Sequence, residues 1–281
     1  RMIALSRSIA SGDFSTRVTQ FGSDELGQLG KQLNAMADII QQDIRRIKEL
    51  DRLKSEFVSI ASHQLGTPLT VMRWNLEMLA QKKIGSHDKV VRESLETLIE
   101  TTARMDKLIA DLLSVSRIEQ NKITYNPEDV SICTLTEKVV AEQKGRAEKK
   151  GILVRFECED TIPSLRLDQA RTREILTNLL SNAIKFTRID GTALIRITRT
   201  EDTVVIEVRD NGIGIPHKDQ EQMFSKFFRG SNVVKSGEYG GTGLGLYIVK
   251  RYVEGQGGTI SFTSEENKGT TFTIRFPVGG G

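Results

Sequence analysis

The sequence lacks several features that would each indicate a class of protein. Its 281 residues contain no run of about 18 apolar residues, the length a helix needs to cross a bilayer, and no signal-peptide pattern. The two cysteines, Cys133 and Cys158, have the spacing of neither a disulfide framework nor a metal site, which is typical of a reducing compartment. With 40 basic and 37 acidic residues, the net charge of +3 is too even to favour nucleic acid or an anionic membrane as partner. A secreted scaffold, a membrane channel, a zinc protein and a collagen-like fibre are therefore excluded.

Proline and aromatic residues are scarce in the first 125 residues, where apolar residues instead recur every three or four positions from Leu33 to Ile60. That period predicts coiled-coil or bundle helices, and so narrow a stripe needs a partner helix. Beyond residue 127, alternating runs such as 193–197 and 204–208 predict strands, and most glycines lie between 212 and 269. The sequence therefore predicts a helical front half and a mixed α/β back half, joined by a loop near residues 121–129.

The first 44 residues predict a short helix over 1–12, a connector over 13–23 and a second helix that opens at Asp24-Glu25. The run Gly12-Asp13-Phe14, with Asp24 to Gly27 and Asn34-Ala35-Met36, resembles the HAMP domain, a parallel four-helix dimeric relay. The proline that usually opens the first helix of that family is missing, and an ordinary helical hairpin is the alternative. The resemblance implies a chain that is itself soluble, the cytoplasmic portion of a receptor anchored in an inner or plasma membrane upstream of residue 1.

Of the three histidines, His63 has the surroundings that point to chemistry, while His87 and His217 lie in polar loops. At 100° per residue, His63 falls on the wet side of its helix with Ser59 and Thr67, just before Pro68, which is expected to disturb the helix. An exposed imidazole is a competent nucleophile near neutral pH. A second amphipathic helix over about 89–120 completes an antiparallel hairpin through a loop at 82–88. Two such hairpins would close a dimeric four-helix bundle.

Residues 57–70 resemble the phosphoacceptor box of sensor histidine kinases, which implies that His63 is the phosphorylated residue. Thr67 matches the residue that helps to position water when such kinases dephosphorylate their partner. Gln64 stands where the family has an acidic residue, and a neutral amide is a poor base. Gly66 stands where the family has arginine, and glycine costs about 1 kcal/mol in a helix relative to alanine.

The back half carries no P-loop and no dinucleotide fingerprint. Asn178, Asn182 and Lys185 are spaced to share one helix face, and two amides with an ammonium suit Mg²⁺ and nucleotide phosphates. Asp210 ends a predicted strand before two glycines and could accept a hydrogen bond from an exocyclic amine such as that of adenine. The glycine-rich segment 240–245 precedes a predicted helix over 246–253, where backbone N–H groups favour phosphate.

This ordered set resembles the ATP-binding fold shared by histidine kinases, DNA gyrase, the ninety-kilodalton heat-shock chaperone and the mismatch-repair ATPase. The resemblance implies that Asn182 holds Mg²⁺, Lys185 holds phosphate and Asp210 selects adenine. It also implies a phenylalanine-rich segment with Phe227 and Arg229 beside a lid at 230–240. The remaining ATP-binding positions are Asn178, Gly212, Gly214, Gly241, Thr242, Gly243, Leu244, Gly245 and Thr270. The superfamily's hydrolases carry a glutamate base in place of Asn178, so bound ATP should await another nucleophile.

The predicted fold is multidomain: an all-α parallel coiled coil (1–44), a dimeric four-helix bundle (45–122) and an α/β sandwich ATP-binding domain (123–281). The predicted function is ATP-dependent autophosphorylation of His63, followed by transfer to an aspartate of a response regulator receiver domain. Expected partners are a second copy of the chain and that regulator, with ATP and Mg²⁺ as cofactors. Two alternatives remain: a degenerate kinase that acts as an ATP-gated scaffold or phosphatase, and an ATPase without phosphohistidine.

Overall fold

Two long helices open the described part of the chain. The computed structural model describes Arg17 and residues 25–80, 88–236 and 241–278. Helix α1 spans Glu25–Ala80 and helix α2 spans Asp88–Glu119, close to the predicted starts and ends. The predicted first helix, the connector apart from Arg17, residues 82–87 of the hairpin loop and the end of the lid at 237–240 lie outside the described residues. The chain divides into two compact units, residues 1–64 and 65–281. The bounds of the three predicted domains stay predictions.

Helix α1 continues through Pro68, which the sequence analysis expected to disturb it. A proline inside a helix removes one main-chain hydrogen bond and strains the preceding turn, at a cost in stability. The helix nevertheless runs on to Ala80, and the Thr70 hydroxyl donates to the carbonyl oxygen of Gly66 at 2.9 Å. The helix around the predicted phosphoacceptor is therefore regular in its backbone but holds both a glycine and a proline within one turn.

A mixed sheet forms one layer of the back half. Its elements in chain order are β1 (Glu128–Val130), α3 (Ile132–Lys149), β2 (Leu153–Cys158), β3 (Leu165–Leu167), α4 (Gln169–Phe186), β4 (Thr192–Arg199), β5 (Thr203–Asp210), α5 (His217–Gln220), α6 (Ser231–Ser236), α7 (Gly245–Gly255), β6 (Thr259–Glu265) and β7 (Gly269–Pro277). Five strands pair in the order β2-β4-β5-β7-β6, while β1 pairs with β3 separately. The β2–β4 pair is parallel and the other pairs of the sheet are antiparallel.

The core of this half lies between the sheet and helices α3, α4 and α7. Alternate residues of β4 and β5 are buried, as their period of two predicts. They meet apolar side chains of α4 and α7, among them Leu176, Leu180, Ile184, Ile248 and Val249. The result is a two-layer α/β domain, which confirms the predicted fold class for this half. Asp210 is the last residue of β5 and lies at the edge of the sheet where that strand ends.

The two cysteines correct the sequence analysis. Cys133, in the first turn of α3, is bonded to Cys158, the last residue of β2, with their Cα atoms 6.2 Å apart. The spacing of 25 residues fits no recognisable disulfide framework, so the pair becomes visible only once α3 and β2 lie side by side.

Candidate functional site

Helix α4 positions the predicted asparagine and lysine face. Its first turn is capped by Asp168, whose side chain accepts from the backbone N–H of Arg171 at 2.9 Å. Asn178, Asn182 and Lys185 all lie on this helix, which confirms their predicted placement. Asn178 is 6% exposed, whereas Asn182 and Lys185 are half-buried. The face is therefore only partly covered, and the Asn182 amide and the Lys185 ammonium remain within reach of a ligand.

The end of α4 is held in place by Lys150, a residue that the sequence analysis missed. Its ammonium donates to the carbonyl oxygens of Ile184 at 3.0 Å and Thr187 at 2.9 Å, and also to that of Lys185. The last carbonyls of a helix have no partner within the helix, and a cation there satisfies them. Lys150 therefore fixes the end of α4 that carries Lys185.

Asp210 ends β5 and is 7% exposed. One carboxylate oxygen, Oδ1, accepts from the backbone N–H of Gly212 at 2.9 Å and of Thr270 at 3.3 Å. Burial raises the pKa of Asp210 to about 6, although both hydrogen bonds act to lower it. Within the described residues no group donates to the second oxygen, Oδ2. That oxygen can accept a hydrogen bond from a ligand.

The loops around Asp210 need glycine where the sequence has it. Gly212 packs against the carbonyl of Phe186 too closely for a side chain, and Gly214 has a left-handed backbone with φ of +62°. Gly243 is also left-handed, at +71°, and a side-chain carbon there would lie 2.6 Å from the backbone of Phe227. Phe227 itself has φ of +60°, which is uncommon for a bulky residue. These glycines therefore allow the backbone after Asp210 to pack against the end of α4, and the backbone before α7 to pack against Phe227.

A cluster of positive charge surrounds Lys185. Burial, followed by the charges of Arg229, Arg146, Lys107 and Arg104, lowers the pKa of Lys185 to about 8. These four cations lie on α2, on α3 and in the segment before α6, while Lys185 lies on α4. The positive charge therefore comes from four separate parts of the chain. Like charges that converge in this way are unfavourable without a counter-charge. The cluster is thus suited to a ligand that carries several negative charges.

The glycine-rich segment before α7 completes this cluster. A side-chain carbon at Gly241 would lie 2.9 Å from Nζ of Lys185, so the loop backbone passes close to the ammonium. Gly245 begins α7, as predicted within one residue, and Leu244 is fully buried beneath it. The hydroxyl of Thr242 accepts from the backbone N–H of Leu244 at 3.2 Å. Backbone N–H groups at a helix start favour phosphate.

Helix α2 contacts both nucleotide motifs, which sequence pattern alone does not indicate. Nζ of Lys107 donates to Oδ1 of Asn178 at 3.2 Å, and the Thr242 hydroxyl donates to Oδ2 of Asp111 at 2.8 Å. Asp111 is 4% exposed, and burial raises its pKa. Further along the helix, Glu119 forms an ion pair with Lys226 at 2.8 Å. The second helix of the hairpin thus contacts the ATP-binding half at several points along its length.

The base of the predicted lid is anchored by a buried acid. Asp219, 7% exposed, accepts from both the backbone N–H of Ser231 at 2.7 Å and its hydroxyl at 2.8 Å. Phe227 and Arg229 lie in the segment just before this contact. Thr270, the second residue of β7, pairs with Asp210 in the sheet register, and its backbone N–H donates to the carboxylate.

The predicted phosphoacceptor lies on α1, in the unit before residue 65. The backbone at His63 is helical, and its side chain lies outside the described residues. Its predicted neighbours on the wet face, Ser59 and Thr67, are exposed, while Ile60 and Leu65 are half-buried. Gln64 is half-buried, and a side-chain carbon at Gly66 would meet nothing within 4 Å. The burial of these described side chains agrees with the predicted division into an exposed and an apolar face, while Phe57 and His63 lie outside the described side chains.

A magnesium site here would depend on few protein ligands. Within the described residues there is no group of three or more His, Cys, Asp or Glu side chains arranged to hold a metal. Mg²⁺ commonly binds through one or two protein oxygens together with substrate phosphates and waters. The amide oxygen of Asn182, one turn before Lys185 on α4, fits that pattern.

Comparison with known families accounts for most of the chain. Residues 167–280 match the histidine kinase-, DNA gyrase B- and HSP90-like ATPase family, residues 53–121 match the His Kinase A (phospho-acceptor) domain, and residues 1–42 match the HAMP domain. Along the chain, a HAMP domain is followed by a phospho-acceptor domain and then by an ATPase domain, which places the chain in the sensor histidine kinases of two-component systems. The phospho-acceptor match contains His63, and the ATPase match contains every nucleotide-binding residue that the sequence analysis predicted.

Individual relatives agree. The chain is 34% identical over 270 residues to the sensor histidine kinase YclK of Bacillus subtilis, covering 96% of this chain and 56% of YclK. The full-length ShkA crystal structure in complex with AMPPNP has a TM-score of 0.58, with 24% identity and coverage of 81% of this chain and 45% of that one. The histidine kinase ThkA in complex with the response regulator TrrA has a TM-score of 0.60, with 21% identity and coverage of 84% and 65%. These two structures support the fold.

The chain spans about half, or less, of the curated relatives it matches. Among the residues that the structure describes, no helix has the length and apolar character required to span a membrane.

Proposed function

We propose that the chain binds ATP in the α/β half, phosphorylates His63 and passes the phosphoryl group to an aspartate of a response regulator. In the first step, a ring nitrogen of His63 attacks the γ-phosphorus, the bond to the ADP oxygen breaks and the imidazole proton leaves. Such transfer depends mostly on positioning and neutralisation of charge. Bound Mg²⁺ would neutralise phosphate charge, with Asn182 as the protein ligand.

The observation that carries this proposal is that two complementary features lie near the end of α4. Gly212, two residues after Asp210, packs against the carbonyl of Phe186, the residue next to Lys185. Asp210 has an acceptor oxygen, Oδ2, to which no group donates within the described residues. The cluster around Lys185 supplies positive charge from four parts of the chain. A ligand with an exocyclic amine at one end and several negative charges at the other satisfies both, and ATP is such a ligand. The match to an ATPase family over 167–280, and the AMPPNP complex of ShkA, support this choice.

The acceptor is proposed to be His63 rather than water. Asn178 replaces the glutamate base that the hydrolases of the superfamily use, and an amide cannot activate water by removing its proton. The phospho-acceptor match over 53–121 includes His63, which the helical period predicts on the solvent-facing side of α1. After transfer, the phosphohistidine would donate to a regulator, a partner suggested by the ThkA–TrrA complex. Thr67, exposed one turn after His63, is proposed to position water for the reverse, phosphatase reaction.

The test is incubation with γ-labelled ATP and Mg²⁺, followed by acid and alkali treatment of the protein. A label that is lost in acid and stable in alkali is expected, because phosphohistidine has that stability. His63→Ala should abolish the label and leave ATP affinity nearly unchanged, whereas Asp210→Ala should weaken ATP binding. Labelled free phosphate alone would support the ATPase alternative. Equal loss of ATP binding in both variants would contradict the separation of acceptor and nucleotide sites.

The degenerate-kinase alternative rests on Gln64 and Gly66. Gln64 cannot accept the imidazole proton as a carboxylate does. Gly66 removes a cation near the acceptor. If neither label nor free phosphate appears while ATP still binds, an ATP-gated scaffold or phosphatase becomes the better description.

The active form is proposed to be a homodimer formed by the helical hairpins. In the single chain, Trp74 on α1 is 65% exposed and Ile99 on α2 is 69% exposed, as are several apolar neighbours. Contiguous apolar surface of this kind on helices of a hairpin is buried when two hairpins form a four-helix bundle. Sedimentation at micromolar concentration should detect a dimer. The HAMP match and the partial coverage of the relatives support a receptor anchored in a membrane, with this chain on the cytoplasmic side.

A further inference from the structure

Cys133 and Cys158 lie where a bond between them can open and close without rearrangement of the fold. Their Cα atoms are 6.2 Å apart, within the range of about 4.4–6.8 Å that a disulfide spans. Helix α3 is held independently by Ile132 and Val139, which are buried in the core. Strand β2 is held by its parallel register with β4, in which Cys158 pairs with Ile197. The two sulfur atoms therefore remain neighbours whether or not they are bonded.

The pair is also within reach of small reagents. Both cysteines are half-buried, and β2 is the edge strand of the sheet. They are the only cysteines in the sequence, so no third thiol of the same chain competes. Sγ of Cys158 lies 3.6 Å from the carbonyl oxygen of Glu159, which offers the reduced thiol an acceptor. Both redox states thus have a suitable environment.

We propose that Cys133 and Cys158 form a reversible oxidation site whose oxidised form tightens nucleotide binding. Cys133 is the expected attacking residue, because it lies in the first turn of an 18-residue helix, where the helix dipole favours a thiolate. The thiolate attacks a hydroperoxide, the O–O bond breaks, and Cys133 becomes a sulfenic acid as water or an alcohol leaves. The Cys158 thiol then attacks the sulfenic sulfur, the S–O bond breaks, the hydroxyl leaves as water with the thiol proton, and the disulfide forms. Two equivalents of a small thiol reverse the reaction and leave as their own disulfide.

The disulfide is linked to the nucleotide site through α3. It joins the first turn of α3 to the far end of β2, while a short turn joins their other ends. At that turn, Lys150 holds the carbonyl oxygens at the end of α4, beside Lys185. Midway along α3, Glu142 forms an ion pair with Arg173 of α4. Closure of the disulfide therefore fixes the helix that supports α4, and a preordered site loses less entropy on binding.

The experiment counts thiols first. The reduced chain should give two alkylated cysteines by mass spectrometry, and none after hydrogen peroxide, with no cross-linked dimer on a non-reducing gel. In glutathione buffers of increasing oxidised fraction, the disulfide population should rise gradually. A pair that stays oxidised in every buffer, or that forms only intermolecular or over-oxidised products, would overturn the proposal. Cys158→Ser should trap a sulfenic acid on Cys133, and Cys133→Ser should react more slowly.

The second measurement is ATP affinity in the two states, and this arm rests on the proposed function. The oxidised chain is expected to bind ATP with a Kd roughly two- to tenfold lower than the reduced chain. The variant in which both cysteines are serine should match the reduced parent and ignore peroxide. Equal affinity of the oxidised and reduced parent would refute the link to the nucleotide site. If neither state binds ATP, the proposed function fails, while the thiol count still decides whether the oxidation site exists.

Discussion

Asp210→Asn should change stability and ATP affinity in opposite directions, which distinguishes a binding defect from misfolding. Burial raises the pKa of Asp210 to about 6, from an ordinary value of 3.8. The ionised carboxylate is therefore less favourable in the folded chain than in the unfolded one. The folded chain accordingly loses stability as the pH rises from about 4 to about 6. A pKa difference of one unit corresponds to 1.36 kcal/mol, so the shift from 3.8 to about 6 lowers the free energy of unfolding by roughly 3 kcal/mol.

Asparagine has nearly the same shape, does not ionise, and its Oδ1 can still accept from the backbone N–H groups of Gly212 and Thr270. Above about pH 7, the ligand-free variant should be more stable than the parent by up to about 3 kcal/mol. Below about pH 4 the two proteins should differ little, because Asp210 is then protonated in both the folded and the unfolded parent. Denaturant unfolding across this pH range measures the difference.

ATP affinity should fall in the same variant, because an amide N–H would face the adenine amine. Loss of a hydrogen bond to a charged group costs about 1.5–3 kcal/mol, which is roughly a 10- to 150-fold rise in Kd. The parent should also lose affinity below about pH 6, as Asp210 gains a proton, and the variant should not. Glu207→Gln, on the same strand, is the control and should alter neither quantity. A variant with parental affinity at neutral pH would refute the role given to Asp210.

Three further predictions concern the other parts of the site. The pKa of Lys185 is lowered to about 8, and a bound phosphate favours its ammonium form, so ATP affinity should decline above about pH 8. Lys185 should take up a proton when ATP binds in that range, and calorimetry in buffers of different ionisation enthalpy would detect this uptake. Asp111→Ala should free the Thr242 hydroxyl and tighten ATP binding roughly tenfold. Asp106 is exposed on the same helix, so Asp106→Ala is the control and should leave ATP affinity unchanged. Unchanged affinity in both variants would show that the contact between Asp111 and Thr242 does not compete with ATP. Gln64→Glu should raise the initial autophosphorylation rate about tenfold, and more at lower pH, through recovery of part of the general-base contribution; no gain at any pH would contradict this account.

Local periodicity explains why much of the ATP-binding half could be predicted from the sequence. The alternation in 193–197 and 204–208 places buried side chains on one face of β4 and β5, as observed. The spacing of Asn178, Asn182 and Lys185 predicts one face of a helix, and all three lie on α4. The glycine run 240–245 predicts a loop before a helix, and α7 begins at Gly245. Each of these predictions needs only the geometry of one element.

Pairs formed by distant elements could not be predicted in this way. Cys133 and Cys158 meet because α3 and β2 pack side by side, and a separation of 25 residues carries no information about that packing. Lys150 reaches the end of α4 for the same reason. A lysine after a helix is ordinarily a solvated residue, and the sequence contains no sign that unpaired carbonyls lie nearby.

For the contact of Asp111 with Thr242, the sequence did contain a signal. It falls on the predicted apolar side of α2, between Leu108 and Val115, where a carboxylate is unfavourable unless it has a partner. That conflict could indicate a polar contact, but it could not identify Thr242, which is 131 residues away. Because Asp111 belongs to the helical hairpin and Thr242 to the nucleotide loop, any shift of α2 along its axis must break, stretch or exchange this bond. The buried acid Asp111 therefore links the position of the hairpin to the freedom of the loop, alongside the contacts of Lys107 and Glu119.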